Sequence, residues 1–111
     1  MPAYLFQGCY TSESIAAMIQ KPEDRTAVVR KLVEGFGGKL EGFWLSFGEY
    51  DFVGISQLPD AEAAAALALA VSAGGGVHHY RTVPLLSWDQ GVNVLKKASG
   101  AKYRPPARQG S

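Results

Sequence analysis

Residues 40–58 read LEGFWLSFGEYDFVGISQL, two apolar runs meeting at Gly48-Glu49. Both runs are rich in aromatic and β-branched residues, the composition that suits a pleated surface. A glycine in the first of two turn positions fits a type II′ β-hairpin, which needs positive φ there. The register this predicts sets Phe47 opposite Tyr50, Ser46 opposite Asp51, Leu45 opposite Phe52 and Trp44 opposite Val53. Alternation then sends Phe43, Leu45, Phe47, Tyr50 and Phe52 to one face. Leu40, Trp44, Ser46, Asp51, Val53, Ile55 and Gln57 go to the other. Neither set is polar enough for water, so the sheet holding this hairpin is expected to be covered on both sides.

Upstream, residues 3–10 (AYLFQGCY) carry another strand pattern. Thr11 and Ser12 are caps for a helix bearing Ile15, Met18 and Ile19 on one side. Pro22 interrupts that helix, and Pro22, Glu23 and Asp24 suit the first turn of a restarted one. Its apolar stripe is Val28, Val29, Leu32, Val33 and Phe36, and Gly37-Gly38 allows a left-handed stop. Downstream, Asp60 caps an alanine-rich helix over residues 61–73, whose small side chains let it lie close to a sheet. Residues 77–86 (VHHYRTVPLL) read as the fourth strand, where Pro84 favours an edge. Ser87 and Gln90 match a capping box before a last helix that runs to about Lys97.

The order is βαββαβ with a C-terminal helix. Short connections and right-handed crossovers turn it into an α+β, ferredoxin-like antiparallel sheet with the helices on one face. Residues 1–98 are expected to be one domain and residues 99–111 a flexible basic tail. Helices cover only one side of such a sheet. Monomers seldom expose an apolar patch above a few hundred Å², so the simplest cover for the other side is a second copy about a twofold axis. A homodimer or higher homo-oligomer is therefore expected.

Composition narrows the function classes. The chain has 111 residues, 47% of them apolar and 19% charged, with a formal charge of +1. That balance offers no basic field for nucleic acid. The single Cys9 cannot close an intrachain disulfide, which favours a reducing compartment. No charged-then-apolar leader opens the sequence, and the run at residues 61–73 is too short to span a bilayer. The expectation is a cytoplasmic protein with neither a nucleic-acid nor a membrane partner.

Four segments carry a family resemblance: FQGCYT near the start, KLVEGFGGKLEGFW in the middle, the FGEYDFVGI hairpin and the PDAEAAA helix start. Together they resemble the GYD domain family, whose motif is represented by Gly48, Tyr50 and Asp51 with Glu49 inserted after the glycine. The resemblance covers residues 4–86. It implies a bacterial protein built like the dimeric α+β barrels, in which two ferredoxin-like sheets pack face to face around a pocket. The family carries no assigned activity, so the resemblance speaks for the fold.

Candidate chemistry begins with Asp51, a carboxylate on an otherwise apolar face. Desolvation there would suit a general base, whereas a backbone-bonded turn aspartate is the plainer alternative. His78 and His79 are adjacent, so on a regular strand they point to opposite faces and cannot share a metal. No metal and no cofactor are expected. Placing Arg81 on the pocket face puts His79 there too and sends His78, Tyr80 and Thr82 to the other side. Trp44, Ser46, Asp51, His79 and Arg81 are the expected ligand-binding set. Cys9 has no local base to activate it, and Gly74-Gly75-Gly76 follows a helix, the wrong order for a phosphate loop. The leading expectation is a binding or sensing module for a small apolar or aromatic ligand held between two sheets. The alternative is a cofactor-independent oxygenase or isomerase of the barrel type, with Asp51 or His79 as acid or base.

Overall fold

Side-chain caps begin three of the helices at the expected positions. The Thr11 hydroxyl accepts from the Ser14 N–H, Asp60 accepts from the Ala63 N–H, and Ser87 with Gln90 forms a reciprocal capping box. In the computed structural model, which describes residues 1–107, the order is β1 (Ala3–Tyr10), α1 (Ser12–Gln20), α2 (Thr26–Gly35) and β2 (Lys39–Leu45). There follow β3 (Phe52–Gln57), α3 (Ala61–Ala73), β4 (Val77–Leu85) and α4 (Trp88–Ser99). The strands form one antiparallel sheet in the order β2-β3-β1-β4, the ferredoxin-like arrangement. β4 lies at an edge, as Pro84 requires of a strand that lacks one donor. Of the basic tail, residues 101–107 form neither helix nor strand, and the remainder from 108 lies outside the described residues.

The helix restart comes later than the proline predicts. α2 begins at Thr26, and Asp24 Oδ1 accepts from the Thr26 N–H at 2.9 Å, so residues 22–25 are a linker and not a first turn. Gly37 then takes the left-handed φ of 78° that ends the helix without a Cβ penalty.

The core lies between the sheet and the helices. Tyr4, Phe6, Leu40, Phe52 and Leu58 from the strand side meet Val33 of α2 and Ala64 and Leu67 of α3. On the core side of the sheet, two glycines make room for rings. Phe6 lies over Gly54 directly across the β1–β3 pair, and Phe52 lies over Gly8 two residues along the same pair of strands. Phe6 also stacks on Phe43 and Tyr80, with ring centroids 6.1 and 6.3 Å apart.

The hairpin pairs as expected over its strand residues, with Trp44 opposite Val53 and Leu45 opposite Phe52. The Ser46 N–H also donates to the Asp51 carbonyl at 2.8 Å. Two details differ. Gly48 does not have the positive φ of a type II′ turn, and the chain leaves the strands at Leu45 and rejoins at Phe52. A bulge between Leu40 and Gly42 shifts the phase of β2, so Leu40 and Phe43 both face the core. Simple alternation sets those two residues on opposite faces.

Candidate functional site

The break between α1 and α2 opens a space beside the sheet. Ile15, Met18 and Ile19 of α1, Phe43 and Leu45 of β2, and Tyr10 at the end of β1 line a groove of about 700 Å³. Its roof is the linker Pro22-Glu23-Asp24-Arg25, and Ser46 and Asp51 border it from the hairpin. A second cavity of about 270 Å³ continues between α2, α3 and the sheet toward Tyr80. Tyr10, Arg25 and Phe43 line both.

Asp51 occupies the junction of hairpin and β1. Its own N–H donates to the Gly8 carbonyl at 2.8 Å, and its Oδ2 accepts from the Tyr10 N–H at 2.9 Å. The carboxylate thus supports the end of β1, the plainer of the two readings, and also borders the groove. The Ser46 hydroxyl donates to the Tyr50 carbonyl at 2.8 Å, which closes the loop back on itself. Burial raises the Tyr10 phenol above its ordinary range; Arg25 opposes this and Asp51 adds to it. Thr26 holds the Asp24 carboxyl below its usual range through the hydrogen bonds it makes with that side chain.

The expected binding set is divided. Asp51 borders the helix-side groove and Ser46 borders it as well as a space on the open face, at the six-residue connection between β2 and β3. Trp44 remains on the open face of the sheet, its ring folded over Gly42 and half exposed. Arg81 lies opposite Gln7 and shares with Ser46 and Glu49 a separate cleft of about 390 Å³ on that face.

His79 belongs to none of these three spaces. A bulge between Gln7 and Cys9 gives it a φ of 53°, and His78 lies opposite Cys9 on the open face. The two imidazole centroids are 4.7 Å apart, so the pair does not straddle the sheet as alternation predicts. Among the described residues, no three of His, Cys, Asp and Glu are placed to hold a metal ion. Asp51 and His79 line no common space among these three.

Tyr10, Met18, Arg25 and Phe43 line the groove, and none of them belongs to the binding set expected from the sequence. The signal available for them is the Pro22 break, which separates α1 from α2 and leaves the Ile15, Met18 and Ile19 stripe without a helix to cover it. Tyr80, at the inner cavity, looks in the sequence like one more core or interface aromatic.

Burial pushes the Tyr80 phenol up to about 12, while a free phenol titrates at about 10. The folded state therefore holds this proton more tightly than the unfolded chain. The associated stability is intact below about pH 10 and is lost as the pH rises toward about 12. Tyr80→Phe should flatten the stability–pH curve in that window. Denaturant melts of both proteins at several alkaline pH values check this, and parallel curves would contradict it.

The profile of the GYD domain matches residues 4–95. No match is found among curated proteins. Among solved structures, the chain is similar to TTHA0845 from Thermus thermophilus, with a TM-score of 0.52 and 14% identity over 78% of this chain and 95% of that one. It is also similar to FFRP-DM1, at a TM-score of 0.49 and 10% identity over 78% of this chain and 100% of the other. At this identity the first likeness speaks for the fold alone. No helix of the described residues is long and apolar enough to cross a membrane. With the domain profile spanning both crossovers, the whole sheet and most of α4, this chain belongs to the GYD domain family.

Proposed function

We propose that this chain is a small-molecule binding module that works as a homodimer, with its ligand seated between the helices and the sheet. The observation that carries the reading is the groove of about 700 Å³ beside α1. Ligand pockets commonly measure about 300–1,000 Å³, are mostly apolar and hold a few converging polar groups. Here Ile15, Met18, Ile19, Phe43 and Leu45 supply the apolar wall, and Ser46, Asp51 and Arg25 supply the polar groups. The site differs from a pocket between two sheets, because it lies on the helix side of one chain.

The homodimer rests on two apolar surfaces without cover. Leu5, Trp44, Val53, Ile55, Val83 and Leu85 lie on the sheet face away from the helices, and all are at least partly exposed. No residue of α4 is buried, although Trp88, Val92 and Leu95 make a helical stripe. Four strands about 4.8 Å apart and about eight residues long present roughly 500 Å² per protomer. A twofold pair of such faces buries roughly 1,000 Å², and adding the α4 stripes brings the total toward the roughly 1,600 Å² of a standard interface.

Binding is tested with Nile red, an apolar dye whose emission rises when it leaves water. A saturable rise is expected with the wild-type chain. Met18→Trp, which fills the groove from α1 without touching the buried core, should abolish it while leaving the melting temperature nearly unchanged. Equal emission from both proteins, or no saturable rise, would overturn the reading.

A further inference from the structure

We infer that the groove beside α1 selects organic cations, an ammonium group carried on an apolar or aromatic body, over neutral or anionic compounds of the same shape. The inference rests on the binding reading above and adds the class of ligand. Three carboxylates, Glu23, Asp24 and Asp51, border the groove against one guanidinium, Arg25. That guanidinium already has a counter-charge, since Arg25 Nη1 lies 3.7 Å from Glu23 Oε1. Asp24 spends one oxygen on the Thr26 N–H. Asp51 gives Oδ2 to the Tyr10 N–H, and its Oδ1 makes no protein hydrogen bond among the described residues.

Glu23 and Asp24 are exposed, but Asp51 is partly buried, and a carboxylate beside an apolar wall interacts with a cation more strongly than in bulk water. An anion in the same place would face the two carboxylates, Asp24 and Asp51, that remain once Glu23 is matched with Arg25. The ring of Tyr10 lines the groove next to Asp51, and an ammonium near an aromatic face gains further attraction. The apolar body of the ligand has room on both sides of that head. It can lie along Ile15, Met18 and Ile19, or continue past Phe43 into the inner cavity of about 270 Å³.

The test uses a matched series, phenylbutylamine, phenylbutanol and phenylbutyrate, each titrated against the Nile red complex of the full chain. The amine should displace the dye at a concentration at least tenfold below the other two. Asp51→Asn keeps an oxygen for the Tyr10 N–H and removes the charge, so the amine's advantage over the alcohol, both measured on that variant, should fall at least threefold. Should that variant not fold, Glu23→Gln serves in its place; it leaves Arg25 unmatched and should shift preference toward the carboxylate at least threefold. Equal displacement by the three compounds, or a stronger effect of the carboxylate, overturns the cation selectivity and leaves the binding reading standing. Failure of Nile red to bind at all removes both.

Discussion

Gly54→Ala should lower stability by about 3 kcal/mol, near the upper end for an overpacked core. At roughly 4 °C per kcal/mol for a chain of this size, the melting temperature should fall by about 12 °C. A methyl group on Gly54 would run into the Phe6 ring, which lies across this position. The ring has little freedom to step aside. It is 5% exposed, and it stacks between Phe43 and Tyr80 while Phe52 tilts against it at 6.4 Å. The Phe6/Gly54 pair therefore behaves as one unit of the sheet, an aromatic side chain filling the space that a glycine leaves open. Phe6→Leu in the Gly54→Ala background should recover part of the loss, giving a strongly non-additive double-mutant cycle. Denaturant melts of the four proteins measure it. A Gly54→Ala protein within about 0.5 kcal/mol of wild type, the range of an ordinary surface change, would mean the aromatic cluster is loosely packed.

Ile55→Asp should convert the proposed homodimer into a monomer. Ile55 sits near the middle of the uncovered sheet face, between Leu5 of β1 and Gly42 of β2. About a twofold axis the substitution places two carboxylates in or near one apolar interface, and each carries a desolvation cost of several kcal/mol. The change is confined to the face away from the core, so the protomer should keep its fold. Light scattering at micromolar concentration should report about twice 11.9 kDa for wild type and a single chain mass for the variant. A wild-type protein at the single-chain mass would remove the homodimer. A variant that stays paired would move the interface elsewhere, with α4 and its Trp88, Val92 and Leu95 stripe the next surface to alter.

Local signals in the chain are sufficient for much of this architecture. Thr11, Asp60 and Ser87 each satisfy donors within three residues, so the starts of α1, α3 and α4 follow from neighbours in sequence. The pairing of Trp44 with Val53 and Leu45 with Phe52 follows from two complementary apolar runs separated by a short connection. Pro84 marks β4 as an edge because a central strand would need its missing N–H.

What escapes a linear reading is the phase of side chains wherever a strand is interrupted. Alternation carries face information only while the pleat is regular, and one extra residue reverses it. At Glu41 the bulge turns Leu40 into the core beside Phe43, because the core then gains both side chains. Between Gln7 and Cys9 a second bulge brings His78 and His79 together, against the expectation that neighbours in a strand diverge. The position of Asp51 is decided in the same way. Residues 41 places apart in sequence determine that its carboxylate meets the Tyr10 N–H, and that contact turns it toward the groove and α1. The composition of residues 40–58 determined that a two-faced apolar hairpin would form the centre of a sheet. Which of its polar groups reach a cavity depended on where β1 and the α1–α2 linker came to rest, because only long-range hydrogen bonds and packing act across that distance.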